Sequence, residues 1–347
     1  MESLSNKKWK EFFLVDIFEI KSGKRLVKEN MRIGSIPFIG ASDSNNGITN
    51  FISNKNSSTD KNVLGVNYNG SVVENFYHPY LCTFSDDVKR FSTKNVEGNK
   101  YIYLFIKNAI LQQKQKYMYG YKFNEGRMLK QKIMLPVNSK GEPDYEFMEE
   151  YMKGKERNLK DRYKEYIKSN IKELQKKVTE NRDWKEFFVA EIFKNIERGK
   201  RLTKANQQHG NIPYVSSTAQ NNGIDNFISN ACNVRKYENC LSLANSGSVG
   251  ACFYEPFEFI ASDHVTALKG EYSKYTYLFI ACMLNRLSGK YNFNREINDK
   301  RIKREKIYLP ITLDGNPDYK YMEDYMKYLE QKKTLQYLDY INRSSPD

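Results

Sequence analysis

The residues whose types could make or break bonds are few, and their spacing does not suit the task. Two segments, PDYEFMEEYMK at 143–153 and PDYKYMEDYMK at 317–327, set carboxylates and a lysine behind a Pro-Asp pair, the side chains of a nuclease site. The paired carboxylate and lysine are wrongly spaced for it. Asp144 and Asp318 stand instead where an N-cap carboxylate meets the unpaired N–H groups of a starting helix. There are no adjacent prolines, so the Asp/Asn-Pro-Pro-aromatic element of amino-methyltransferases is excluded, and neither GxGxxG nor GxxxxGK[ST] occurs. The histidines, His78, His209 and His264, align with Glu255, Ile33 and Asp87 under the internal repeat described below. A duplicated catalytic site would not rest on a base found in one copy alone. The five cysteines, Cys82, Cys232, Cys240, Cys252 and Cys282, lack CxxC spacing and have no cysteine counterparts, Cys82 aligning with Phe259. They are expected to be reduced thiols at apolar positions, with no disulfide framework and no metal site. The chain reads as a binder with no catalytic residue, no metal and no cofactor of its own.

Contact chemistry is better represented. Lys24 and Arg25, repeated as Lys200 and Arg201, each follow a glycine. Basic side chains at a turn reach phosphates without reading sequence, and the competing reading is a solvated basic loop. Asn45 and Asn46, with Asn221 and Asn222, match the N6 and N7 edge of adenine, while an Asn-Gly pair is equally the mark of a turn with positive φ. YKFNEGR and YNFNREINDKR carry Tyr121, Lys122, Asn124 and Arg127, then Tyr291, Asn294, Arg295 and Arg301, as candidates for base or phosphate contact. The aromatics there also suit a core.

The elements that must position these residues are written twice. WKEFFLVDIF at 9–18 returns as WKEFFVAEIF at 184–193, and GKRL, NNGI, NFIS, GSV, YLFI and PDY recur in the same order. Eight of the nine prolines fall into four pairs: Pro37 with Pro213, Pro79 with Pro256, Pro136 with Pro310, and Pro143 with Pro317. The copies run over 9–167 and 184–341, a period far above the ~20–50 residues of a solenoid and close to the size of a domain.

Within each copy, short apolar runs such as SIPFIGAS and VLGVNY alternate with Asn, Gly and Ser, the pattern of strands and turns. YIYLFIKNAILQQKQKYM (101–118) and YTYLFIACMLNRLSGKY (275–291) have helical spacing. Each copy ends in a polar helix. Leu159, Tyr163, Ile167, Ile171, Leu174 and Val178 recur at three- and four-residue steps in the first, and Met322, Tyr325, Leu329, Leu335, Leu338 and Ile341 do so in the second, the seam of a helix packed on a partner helix. The class is α+β: two tandem homologous mixed α/β domains, 1–143 and 182–317, each followed by a spacer helix, 144–181 and 318–347.

Charge is uneven. Residues 1–143 carry 22 Lys and Arg against 13 Asp and Glu, and 182–317 carry 19 against 14. The helical segments are balanced, with 10 against 9 in 144–181 and 5 against 6 in 318–347, so the net +14 lies in the globular parts. Two basic domains on neutral helices suit a polyanion gripped at two places. No apolar run approaches the ~20 residues of a membrane span, and residues 1–10 hold no hydrophobic signal region, so a cytoplasmic location is expected.

The order GKRL, IPFIGAS, NNGI, GSV, FYHPY, SDDV, YLFI, IMLPV, GEPDYEFMEEYM, repeated from Trp184, resembles the specificity subunits of type I restriction-modification enzymes, and more closely the short ones serving type IIB systems. The resemblance implies two target-recognition domains, each reading one half of a bipartite double-stranded DNA target. They would be separated by helices that pair as an antiparallel coiled coil about a pseudo-two-fold. It implies partners too: DNA methyltransferase subunits, expected as two, that dock on the helices and bring S-adenosylmethionine and, directly or through a restriction subunit, the nuclease. The shared helix segments, 144–167 and 318–341, are 24 residues each, roughly 36 Å, or about one turn of duplex. The alternative is a non-catalytic nucleic-acid-binding module or protein scaffold outside restriction-modification. A scaffold alone would need no basic excess in the globular parts, and an enzyme would need turnover from the isolated chain.

Overall fold

Short apolar runs closed by Asn, Gly and Ser become strands in both copies. The computed structural model describes residues 3–117, 121–291 and 294–344, and the chain divides into two units, 1–161 and 162–347. In the first, Phe18–Ser22, Val88–Thr93, Val63–Asn67 and Asn75–His78 lie in that order in an antiparallel sheet. Val63–Asn67 is buried at every position, which is why it is written as an apolar run rather than an alternation. A second sheet orders Ile48–Ile52, Ile33–Ile39, Cys82–Phe84 and Thr59–Asp60, and its middle pair is parallel. A ribbon of Trp9–Phe13 and Lys132–Pro136, with Trp9 opposite Pro136, ties the ends of the domain together.

The helix Lys100–Leu111 starts at Asn99, whose side chain accepts from the N–H groups of Tyr101 and Ile102. Its Tyr103, Ile106 and Ile110 share one core with Leu64, Val66 and Phe91 of the first sheet. The second unit repeats this plan. Asn195–Arg198, Val265–Lys269, Cys240–Ala244 and Cys252–Glu255 form one sheet, Ile224–Ile228, His209–Val215, Phe259–Ala261 and Lys236–Tyr237 the other, and Lys274–Asn285 is the helix, capped by Ser273. Each domain is thus a mixed α/β body, as the pattern of runs indicated. The cysteines are free. Cys82, Cys240 and Cys252 fill buried positions, but Cys232 and Cys282 are exposed, so the expectation of apolar sites holds for three of the five.

The polar helices are Tyr145–Val178 and Tyr319–Ser344. Asp144 and Asp318 cap them: Asp144 Oδ1 accepts from the Phe147 N–H at 3.0 Å, and Asp318 Oδ1 from the Tyr321 N–H at 2.9 Å. In the second unit the two helices run antiparallel. Lys164 Nζ lies 2.5 Å from Asp339 Oδ1, and the Tyr321 hydroxyl donates to the Val178 carbonyl at 3.3 Å. Ile167, Leu174 and Leu338 are buried, as the seam requires, but Leu159 is 64% and Tyr163 50% exposed. Met322 lies in the core of its own domain, as Met148 does in the first. The first turns of each helix complete a domain before the rest meets another helix. One apolar periodicity therefore serves two partners in succession, and periodicity alone does not say which.

Candidate nucleic-acid interface

The Gly-Lys-Arg turn is pressed onto the turn at 85–87. The Gly23 N–H donates to the Val88 carbonyl at 3.1 Å and the Lys24 N–H to the Phe84 carbonyl at 3.0 Å. A Cβ on Gly23 would stand 1.9 Å from the Ser85 carbonyl oxygen, so only glycine fits. The second domain repeats the bonds, Gly199 to Val265 at 2.9 Å and Lys200 to Ala261 at 3.1 Å, with a Cβ on Gly199 2.2 Å from the Ser262 carbonyl oxygen. Lys24, Arg25, Lys200 and Arg201 are all exposed. Arg25 Nη1 is 3.8 Å from Asp86, and Lys200 donates to Asn233 at 3.1 Å.

Two further loops join this turn. Ser85 N–H donates to the Ile39 carbonyl at 2.9 Å, Ser71 N–H to that of Ala41 at 3.2 Å, and Tyr68 N–H to that of Asp87 at 3.1 Å. The loop carrying Asn45 and Asn46 and the loop 67–74 are thereby drawn to the basic turn. Asn45, Asn46 and Gly47 have φ of 49°, 52° and 74°, and Asn221, Asn222 and Gly223 have 49°, 53° and 80°. The asparagines set the turn, since their side chains tolerate left-handed backbone. Being exposed, they keep their amides available.

The segment from 121 divides by role. Lys89, though 8% exposed, donates to Ser22 Oγ at 2.6 Å and to Glu125 at 3.0 Å, which brings the short helix Glu125–Lys130 to the Gly-Lys-Arg turn. Asn124 caps that helix, accepting from the Arg127 N–H at 3.1 Å. Arg127 bonds the Lys122 carbonyl at 2.6 Å and lies 3.5 Å from the centroid of the exposed Tyr121 ring. In the second domain Arg301 makes the same backward bond, to Glu296 at 2.5 Å, with Asn298 as the cap. Lys122, Asn294, Arg295 and Arg301 are exposed.

Tyr291 is placed otherwise. It is 3% exposed, its hydroxyl donates to Glu305, and burial with that carboxylate pushes its pKa up to about 12. Its structural counterpart is Tyr117, bonded to Gln131 at 2.7 Å, and Arg295 stands where the first domain has Tyr121. Tyr291 supports the loop from within the core while Arg295, 5.3 Å above its ring, faces outward.

Sequence reasoning missed the groups between the loops. Asn69 Nδ2 donates to Asp87 Oδ1 at 2.9 Å, and in the second domain Ser246 Oγ lies 2.5 Å from His264 Nδ1. Their signal is a difference inside shared landmarks, SDDV against SDHV and NGSV against SGSV. Deeper, His78 and Glu255 occupy one strand-end position in the two copies. Both are fully buried, with His78 Nε2 and Glu255 Oε2 lacking a hydrogen-bond partner among the described residues. Also among the described residues, no group of three His, Cys, Asp or Glu could hold a metal ion, and no helix is long and apolar enough to cross a membrane.

Comparison with known proteins bears on this arrangement. The chain is 62% identical over 152 residues to the "Type II restriction enzyme BgcI specificity subunit S.BcgI" of Heyndrickxia coagulans. That match covers 44% of this chain, and the chain spans about half, 45%, of that relative's length. Among solved structures it is similar to the type I restriction-modification S subunit of M. genitalium (16% identity, TM-score 0.39, covering 100% of this chain and 98% of that one). It is similar also to the HsdS subunit of Thermoanaerobacter tengcongensis (12% identity, TM-score 0.33, covering 98% and 92%). The model of the type I restriction modification DNA specificity domain matches residues 6–168 and again 181–338. With both halves matched, the chain belongs to the family of type I restriction-modification DNA specificity domains and carries two of them in tandem.

Proposed function

We propose that each domain reads one half of a bipartite duplex DNA sequence and that the chain, itself non-catalytic, lends this specificity to DNA methyltransferase subunits docked on its helices. The observation that carries the reading is the loop cluster built twice on one frame: an exposed Gly-Lys-Arg turn anchored by the same backbone bonds, beside loops whose side chains differ between copies. Phosphate contacts position a protein on duplex and base contacts specify the sequence, so a constant basic turn beside variable loops is the division of labour a bipartite reader needs. The methyltransferase supplies S-adenosylmethionine and the methyl-transfer chemistry, and a nuclease acts through that subunit or a further one. The helices separate the readers, with their first turns fixed in each domain.

Exchanging residues 9–143 for those of a relative, co-expressed with the methyltransferase, should rewrite one half of the methylated motif and leave the other half and the spacing unchanged. The isolated chain should methylate nothing. A swap that rewrote both halves, or adenine methylation by the pure chain, would refute the reading.

A further inference from the structure

The frame of the loop cluster is the same in the two domains, which isolates the side chains that differ. The Tyr68 N–H donates to the Asp87 carbonyl at 3.1 Å and the Asn245 N–H to the His264 carbonyl at 2.8 Å. Ser71 is tied to Ala41 at 3.2 Å, and Ser248 to Ser217 at 3.0 Å. Between these matched bonds, Asn69 faces Asp87 in one domain and Ser246 faces His264 in the other. The neighbouring Gly-Lys-Arg turn is kept in both. A group that touches phosphate has no reason to change between readers of different sequences, whereas a group that reads a base differing between the two half-sites must change. Both sides of the contact have changed together here, so the pair keeps its internal bond while presenting a different outer atom.

We propose that Asn69–Asp87 and Ser246–His264 are base-selecting pairs, each determining part of its own domain's half-site. This rests on the reading of the two domains as readers of DNA. Asp87 accepts from Asn69 through Oδ1 and also bonds the Tyr68 hydroxyl, and the remaining lone pairs of the carboxylate are what it offers a base. A carboxylate only accepts, so it selects a base offering an amino group in the major groove, cytosine N4 or adenine N6. The His264 side chain is 46% exposed. We assign His264 the tautomer in which Nδ1 accepts from the Ser246 hydroxyl, so that Nε2 carries the hydrogen and donates, the complement of guanine O6 and N7. Asp263, 3.9 Å from that nitrogen, is the nearby acid. Exchanging the pairs therefore exchanges an acceptor for a donor at one place on an unchanged backbone.

The test is methylome sequencing of the full complex with its methyltransferase, carrying either Asn69→Ser with Asp87→His or the reciprocal Ser246→Asn with His264→Asp. Each exchange should change one or two base positions in a single half-site, a different half for each variant, at unchanged spacing. Asp87→Asn covers the case in which a double variant loses activity. It keeps the shape and removes the acceptor-only character, and it should relax discrimination at the same position by 10-fold or more. Unchanged motifs with activity retained, unchanged discrimination in Asp87→Asn, or both exchanges altering the same half would overturn the proposal. A wild-type complex that methylates no bipartite motif would instead overturn the reading of the domains themselves.

Discussion

Gly23 and Ser85 approach so closely that a Cβ on the glycine would sit 1.9 Å from the serine carbonyl oxygen. No side-chain rotation relieves a clash with backbone. Gly23→Ala should cost about 2 kcal/mol or more of first-domain stability by forcing the two turns apart. It should also weaken DNA binding, because the turn carries Lys24 and Arg25. Gly289→Ala, with nothing within 4 Å of the added carbon, is the control and should be near neutral. Denaturant unfolding of both variants checks this, and equal midpoints would contradict it.

Lys24 and Arg25 are exposed on that turn. If they neutralise two phosphates, replacing both by alanine should flatten the log-log salt dependence of DNA binding by about 1.8, at ~0.9 per phosphate. The recognised sequence should not change. An altered motif with the slope intact would make these residues base readers.

Burial sends two equivalent groups in opposite directions. His78 is lowered from 6.5 to about 4, by burial first and then by Lys107, while Glu255 is raised from 4.5 to about 7 by burial against the opposing bond from Ser242. The folded His78 prefers to be neutral, so its contribution is present above pH 6.5 and is lost as pH falls through about 4. The folded Glu255 also prefers to be neutral, so its contribution is present below pH 4.5 and is lost as pH rises through about 7. The first domain should weaken towards acid and the second towards alkali, each by on the order of 3 kcal/mol. Hydrogen exchange resolved by domain measures both. Glu255→Gln should remove the alkaline loss in the second domain alone, and equal second-domain protection at about pH 5.5 and 8 in the native chain would contradict the assignment.

The helix pair offers a comparison of packing with charge. Ile167 is 2% exposed, and Lys164 and Asp339, at 2.5 Å, are 26% and 42% exposed. Ile167→Ala should cost about 2–5 kcal/mol through lost burial and the cavity left behind. Lys164→Ala should cost about 1 kcal/mol or less, because solvent and salt screen a surface pair. The reverse ranking in thermal unfolding would mean that the helices are held by charge.

The duplication, the mixed α/β class, the starts of the polar helices and the Asn-Gly turns were all determined by the sequence itself. Each is set by residues close together in the chain: Asp144 caps the helix that follows it by accepting from an N–H three residues on, and Asn45 to Gly47 adopt left-handed backbone locally. Writing the pattern twice made each local signal checkable against its copy. Only the tertiary structure decided what meets across the fold. The Gly23 turn lies against Ser85 and Val88, Lys89 draws Glu125 to Ser22, and Asn69 faces Asp87 because strand order places distant loops side by side. The same packing took Tyr291 into the core and left Arg295 outside, and it divided the apolar face of each polar helix between a domain and another helix. Spacing along a chain states which residues share a face, but what covers that face depends on contacts between residues tens of positions apart.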